Sequence, residues 1–158
     1  MGRQDTKLES EGAEFLVLGQ LLIEGIPAYK AYTNTKGFDL VAISPDTGRA
    51  TRIQVKSRWA SDAPHFLIDT VEECDFVVLV RLNRGVGRSP SKQHDMSRKD
   101  PEFYVLSADE ARNLLADRSS GWSKIRWREA DFEIYRRRWD PIRQRLGMKS
   151  EPTHMEVQ

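Results

Sequence analysis

The apolar positions change period along the chain, and the changes mark the elements. From about Glu9 to Gly25, Phe15, Leu18, Leu21 and Leu22 recur at helical spacing, which predicts a helix with one buried face. Ser10 can cap its start and Gly25 can end it. Pro27 blocks continuation, and Ala28-Tyr29-Lys30-Ala31-Tyr32 can begin a strand. After a loop at Asn34-Thr35-Lys36-Gly37, Phe38 to Ser44 and Arg49 to Ser57 read as strands. The turn signal Pro45-Asp46-Thr47-Gly48 between them predicts an antiparallel hairpin. Phe66 to Glu73 reads as a short strand or a helical turn. Asp75 to Leu82 carries a β-branched run and reads as a buried strand.

The second half alternates in the same way. Asn83 to Pro101, with Gly85, Gly87, Pro90 and a run of basic residues, reads as a loop that is mobile or ordered by a partner. Phe103 to Leu106 is a short strand. Ser107 with Glu110 three residues later forms a capping-box pattern for a helix running to about Asp117. Ser119-Ser120-Gly121 breaks that helix, and Trp122 to Arg128 reads as extended. A basic helix from about Glu129 to Leu146 is expected to carry Phe132, Tyr135, Trp139 and Ile142 on one face. This order predicts an α/β or α+β fold, a mixed β-sheet flanked by helices. Residues 1–118 form the core, with the basic loop at about 83–101. Residues 119–149 add a basic helical extension of the same domain, and 150–158 a flexible tail.

Length and composition agree with one domain. The chain has 158 residues, of which 39% are hydrophobic and 31% charged. No apolar run approaches the roughly 18 residues that span a bilayer, so no membrane association is expected. The polar start MGRQDTKLESEG lacks an apolar signal core, so a cytoplasmic location is expected. The single cysteine, Cys74, rules out an internal disulfide and any multi-cysteine zinc site, and it precedes a buried strand as a packed thiol would. His65, His94 and His154 show no metal-binding spacing. The net charge of +1 is unevenly spread. Residues 1–80 carry 8 basic and 12 acidic side chains, whereas residues 118–149 carry 10 and 4. Residues 81–100 carry 6 and 2. Such clustering marks either a polyanion-binding surface or a solvated helix face.

Four polar residues stand in apolar surroundings. At about 100° per residue, Glu14 falls between Leu18 and Leu21, about 40° from one and about 20° from the other, inside the helix stripe. A carboxylate there needs a partner or a metal. Asp39 shares a strand face with Val41 and Ile43, or serves a turn at the strand start. Gln54 and Lys56 alternate with Ile53 and Val55 and so point to the opposite face, which is wet or part of a site. The hairpin can set Asp39, Gln54 and Lys56 on one side of adjacent strands, and the helix can deliver Glu14 to that side.

Glu14 on the first helix, Gly37-Phe38-Asp39-Leu40-Val41-Ala42, and Ile53-Gln54-Val55-Lys56-Ser57 together resemble the PD-(D/E)xK nuclease superfamily. The variant is the one in which glutamine replaces the second acid, on a restriction-endonuclease-like fold. Nucleases that cut modified DNA, some Holliday-junction resolvases and homing endonucleases share this superfamily. The resemblance covers about residues 10–80 and extends to about Ala116; residues after Ser119 carry none of its features.

The resemblance implies a metal-dependent endonuclease acting on DNA in restriction, repair or recombination, with Mg2+ or Mn2+ as cofactor. It implies that Asp39 binds the metal, with Glu14 direct or through water and the Val55 carbonyl, while Gln54 supplies an amide oxygen or orients the metal's water. Lys56 would orient the attacking water. Gln54 in place of an acid removes one negative charge. That keeps open the alternative of a catalytically degenerate module that binds nucleic acid or a protein partner without cleaving. Arg58 shares the strand face of Lys56 and can contact phosphate. Arg84, Arg88 and Lys92 of the loop, and Arg136, Arg137 and Arg138 of the last helix, are expected to hold DNA. A homodimer is left open.

Overall fold

The computed structural model describes residues 6–32, 37–68, 70–86, 98–115 and 124–150. Helix α1 (Thr6–Ile23) buries Ala13, Val17 and Leu21, spaced four apart. It starts a turn earlier than expected. Ser10 is therefore no cap, and its hydroxyl donates back to the Thr6 carbonyl at 2.8 Å. Its end is as read: Gly25 takes φ 73°. The Ile26 N–H bonds the Leu21 carbonyl at 2.8 Å and the Gly25 N–H the Leu22 carbonyl at 3.0 Å. This is a Schellman motif, closed by Leu21 against Ile26. The buried face differs from the expected one. Phe15 and Leu22 are about half exposed, on the side of the helix away from the sheet.

Five strands form a mixed sheet in the order β1-β2-β3-β5-β6. They are β1 (Ala28–Lys30), β2 (Leu40–Ile43), β3 (Ala50–Arg58), β5 (Phe76–Arg81) and β6 (Glu102–Ser107). The β2–β3 hairpin is antiparallel, with Leu40 opposite Ile53 and Ile43 opposite Ala50. Gly48 at φ 70° closes its turn. β3 and β5 are parallel, with Gln54 opposite Val77 and Lys56 opposite Leu79. β6 returns antiparallel beside β5. A separate ribbon pairs β4 (His65–Leu67) with β7 (Lys124–Arg126), which resolves the ambiguous 66–73 segment as a short strand followed by turns.

The sheet has a core on each face. Ile53, Val55, Val78, Val80, Phe103 and Val105 pack against α1 and against α4 (Asp140–Arg145). Val77, Leu79, Tyr104 and Leu106 pack under α2 (Ala108–Leu115), the ribbon and α3 (Glu129–Phe132). The capping box at α2 is complete: the Ser107 N–H donates to Glu110 Oε2 at 2.8 Å, and the Glu110 N–H donates to Ser107 Oγ at 3.1 Å.

The expected helix 129–146 is not continuous. It breaks after a 3-10 turn at Glu133–Tyr135 and resumes at Asp140. Between them Arg136 bridges Tyr104, and the Arg137 N–H bonds the Phe103 carbonyl at 2.9 Å. The chain thus passes around the β6 edge from one face of the sheet to the other. Phe132 and Tyr135 belong to one core, and Trp139 and Ile142 to the other. A straight helix could not serve two faces. Residues 151–158 of the expected tail, the centre of the basic loop (87–97) and residues 116–123 lie outside the described residues. No described helix is long and apolar enough to cross a membrane.

Candidate active site

The site begins where β2 stops. β2 pairs with β3 only from Leu40 opposite Ile53 onward, whereas β3 runs on to Arg58 against β5. Past Ile53, the β2 side of β3 is met instead by Asp39. The Asp39 N–H bonds the Ile53 carbonyl at 2.9 Å, and Asp39 Oδ2 accepts the Val55 N–H at 2.7 Å. The N–H and C=O of one strand residue point to the same edge. The Val55 carbonyl therefore opens on the edge that the Asp39 carboxylate occupies.

Glu14 approaches this edge from α1. It follows buried Ala13, and its side chain is 20% exposed. Burial raises its pKa above the ordinary carboxylate value. A bond from Lys30 works against the shift, and the negative charge of Asp39 adds to it. The two acids thus feel one another's charge. Lys30 of β1 is the residue that sequence reasoning missed. Its ammonium bonds Glu14 Oε2 at 3.0 Å and Glu11 Oε1 at 2.7 Å, and lies 4.3 Å from the Phe15 ring centre. Burial disfavours its charge, but the two carboxylates outweigh that and hold its pKa above the usual lysine value. An inward lysine on a short edge strand opposite Glu14 was the available signal, but the contact spans sequence that no local pattern connects.

Gln54 and Lys56 point from β3 to the face of Val77 and Leu79, opposite the α1 face. The four residues therefore do not share one face. Glu14 reaches the edge from one side of β3, Gln54 and Lys56 project to the other, and Asp39 stands at the edge between. Gln54 is 5% exposed, and its Oε1 has no hydrogen-bond partner among the described residues. An unsatisfied buried acceptor costs about 1–3 kcal/mol, so this oxygen suits a cation or a cation's water. No cluster of three or more His, Cys, Asp or Glu side chains fit for a metal occurs among the described residues. The donors at hand are two carboxylates, one amide oxygen and one backbone carbonyl. An all-oxygen set with two carboxylates fits a hard cation that keeps several waters.

The basic residues separate into two kinds. Arg58 ends β3, and its charge and that of Lys124 on β7 act on His65 between them; burial, then these two charges, hold the His65 pKa below its ordinary value. This cationic cluster lies two residues beyond Lys56 on β3, and Lys124 was not singled out from sequence. Arg84 is exposed, and its carbonyl accepts the Arg98 Nε at 3.1 Å. Arg88 and Lys92 lie outside the described residues. Arg138 is occupied internally: it pairs with Glu110 and bonds the Val105 carbonyl at 3.2 Å. Arg137 donates to Gln20 Oε1 at 2.8 Å, and among the described residues the Arg136 guanidinium makes long contacts of 3.9 Å to Glu102 and 3.8 Å to Glu133. Arg81, buried at 5% exposure, bonds the Ala63 carbonyl at 3.0 Å and stacks 4.4 Å from Trp127. It fastens the ribbon to the sheet. Cys74 is a packed thiol, its pKa pushed up to about 11 by burial.

No family model and no curated protein matches the chain. Among solved structures it is similar to a bacterial homing endonuclease, with a TM-score of 0.55 and 23% identity. The alignment covers 93% of this chain and 96% of that one. The fold is therefore of the nuclease-like α+β class, a five-stranded mixed sheet with helices on both faces. The likeness spans the residues after Ser119 as well as the hairpin core, so the C-terminal segment belongs to the shared architecture.

Proposed function

We propose that this protein is a metal-dependent DNA endonuclease of the PD-(D/E)xK type, with its site at the β2–β3 edge. The observation that carries the reading is the Asp39 carboxylate on the Val55 amide at 2.7 Å, with Glu14 close enough to feel its charge. The fold shared with a homing endonuclease supports DNA as the substrate.

Asp39, Glu14 and the Val55 carbonyl would hold a magnesium or manganese ion, with Gln54 accepting from its water. Such an ion, when bound, supplies charge neutralisation at the scissile phosphate and a more acidic water. The chain's own residues do the rest. Asp39 is fixed by the Val55 amide, so its free oxygen faces the edge in one orientation. Lys56 offers an ammonium to orient the attacking water and to stabilise charge on the phosphate. Arg58 and Lys124 supply positive charge for the flanking backbone.

Plasmid and branched DNA incubated with and without magnesium test the reading. Cleavage is expected only with the metal, and Asp39→Ala and Lys56→Ala should each abolish it. Gln54→Glu should keep or raise activity by restoring an acidic ligand. Cleavage surviving both alanine changes would move the chemistry elsewhere. Tight DNA binding with no cleavage under any metal would instead favour the binding module that Gln54 leaves open.

A further inference from the structure

The end of strand β1 holds both acids of the candidate site, through two consecutive residues. The Ala31 N–H donates to the Asp39 carbonyl at 2.9 Å, and the Lys30 ammonium bonds Glu14 Oε2 at 3.0 Å. On its other side Asp39 is fixed to β3 by the Ile53 carbonyl and the Val55 amide. Asp39 is thus anchored by main-chain groups of both neighbouring strands. Among the described residues the Glu14 carboxylate is bonded by the Lys30 side chain alone. A glutamate has three side-chain torsions, and fixing them costs conformational entropy. A carboxylate already fixed does not lose that freedom when an ion binds.

Lys30 is not placed as a surface counter-ion. β1 is an edge strand, and a lysine at an edge can lay its stem on the protein and put its ammonium in water. Here the side chain is only 5% exposed. The ammonium lies 4.3 Å from the Phe15 ring centre and 5.6 Å from that of Tyr32. A buried charge needs close partners, and Glu11 Oε1 at 2.7 Å supplies a second one besides Glu14. Two carboxylates and two rings therefore hold the ammonium in place, and Glu14 is held through it. The ammonium engages Oε2 of Glu14 and not Oε1.

We infer that Lys30 is a positioning residue for the metal, holding the Glu14 carboxylate where it can act on the ion together with Asp39. The inference rests on the proposed reading of Asp39 and Glu14 as metal-binding acids. Charge and position make opposite predictions for it. An ammonium beside the site repels a cation, so by charge alone its removal tightens metal binding. By position its removal weakens binding, and partners that orient metal ligands typically contribute about 10–100-fold in affinity.

Mn2+ titration of the full chain at one fixed neutral pH, with free Mn2+ read by electron paramagnetic resonance, tests the sign. Lys30→Gln, shown to be folded by circular dichroism, should raise the Mn2+ Kd by about tenfold or more. Lys30→Arg keeps a charged donor for Glu14 and should recover most of that loss. Glu11→Gln keeps the Lys30–Glu14 bond and should change the Kd far less. Should Lys30→Gln alone not fold, Lys30→Gln with Glu11→Gln leaves one unmatched carboxylate instead of two, and its Kd is compared with that of Glu11→Gln. An unchanged or lower Kd without Lys30, or no recovery by Lys30→Arg, would overturn the inference. Asp39→Asn separates it from the site reading. Mn2+ binding lost in Asp39→Asn but indifferent to Lys30 overturns the positioning role alone. No binding by the wild type, or binding that Asp39→Asn leaves intact, overturns the site and the inference together.

Discussion

Lys30 reaches from the edge strand β1 to α1 and bonds Glu14 at 3.0 Å, so the helix acid of the candidate site is already held by an ammonium. The same ammonium lies 4.3 Å from the ring centre of half-exposed Phe15. Site and surface are therefore joined through one side chain. Lys30→Gln should lower stability by about 1–3 kcal/mol, because it leaves the half-buried Glu14 without its cation. Urea unfolding of the variant, with Glu14→Gln added to relieve the unmatched charge, measures it: the double variant should recover part of the loss.

Glu14 itself should behave as a residue kept for function at a cost in stability. Its folded pKa stands above the unfolded carboxylate value near 4.5, so its ionised form is disfavoured on folding. That penalty is present above the folded pKa and vanishes below the unfolded one. Glu14→Gln should then leave the melting temperature at pH 7 unchanged or raised, flatten the pH dependence of stability between the two values, and remove cleavage. A clear drop in melting temperature would assign the residue to structure.

Much of this was readable beforehand, and the misses share one cause. The hairpin, the α2 capping box and the Gly25 stop are local, decided by residues within a turn of one another. Glu14 and Asp39 stood out as candidates because each is a charged residue among apolar neighbours. Phe15 and Leu22 were assigned to the buried face because helical spacing cannot tell which of two apolar arcs meets the sheet. The break at Arg136 was invisible for a similar reason: it is set by hydrogen bonds to β6, more than thirty residues earlier. Lys30 escaped because its partners lie 16 and 19 residues away on another element.

Asp39 makes a structural bond to the Val55 amide and has a proposed role as metal ligand, and substitutions can separate the two. Asp39→Asn keeps an oxygen for the Val55 amide, so stability should change little while metal-dependent cleavage is lost. Asp39→Ala removes the acceptor and should cost about 1–2 kcal/mol in addition. Thermal unfolding alongside the cleavage assay distinguishes the two; equal destabilisation by both would mean that the charge, not the bond, holds the β2–β3 edge.

His65 gives the protein a pH-sensitive contact at the ribbon. Its folded pKa lies below the ordinary 6.5, through burial and then the nearby Arg58 and Lys124 charges. The unfolded chain therefore binds its proton more readily. The contribution of neutral His65 is intact above pH 6.5 and declines as pH falls through the lower folded pKa. Stability should drop on acidification below about pH 6.5, and His65→Gln should remove part of that slope. Titration of the imidazole by NMR should place its midpoint below that of an unstructured histidine.

The salt dependence of DNA binding should sort the arginines. Each phosphate neutralised contributes about −0.9 to the slope of log K against log salt on duplex DNA. Arg138 is held by Glu110 and the Val105 carbonyl, so Arg138→Ala should destabilise the fold without changing that slope. Arg136 and Arg137 are exposed, with weak or neutral partners, and removing both should flatten the slope by up to about 1.8 if they touch phosphate. Arg58 and Lys124 make a separate positive cluster beyond Lys56, on the ribbon side of the sheet. Removing that pair should produce a change of the same size and, if Lys56 serves the chemistry as proposed, also reduce cleavage, because Arg58 lies two residues beyond Lys56 on β3. If instead only the Arg136–Arg137 pair alters the slope, the DNA runs along the β6 edge, and the route from that edge to Lys56 must cross the sheet.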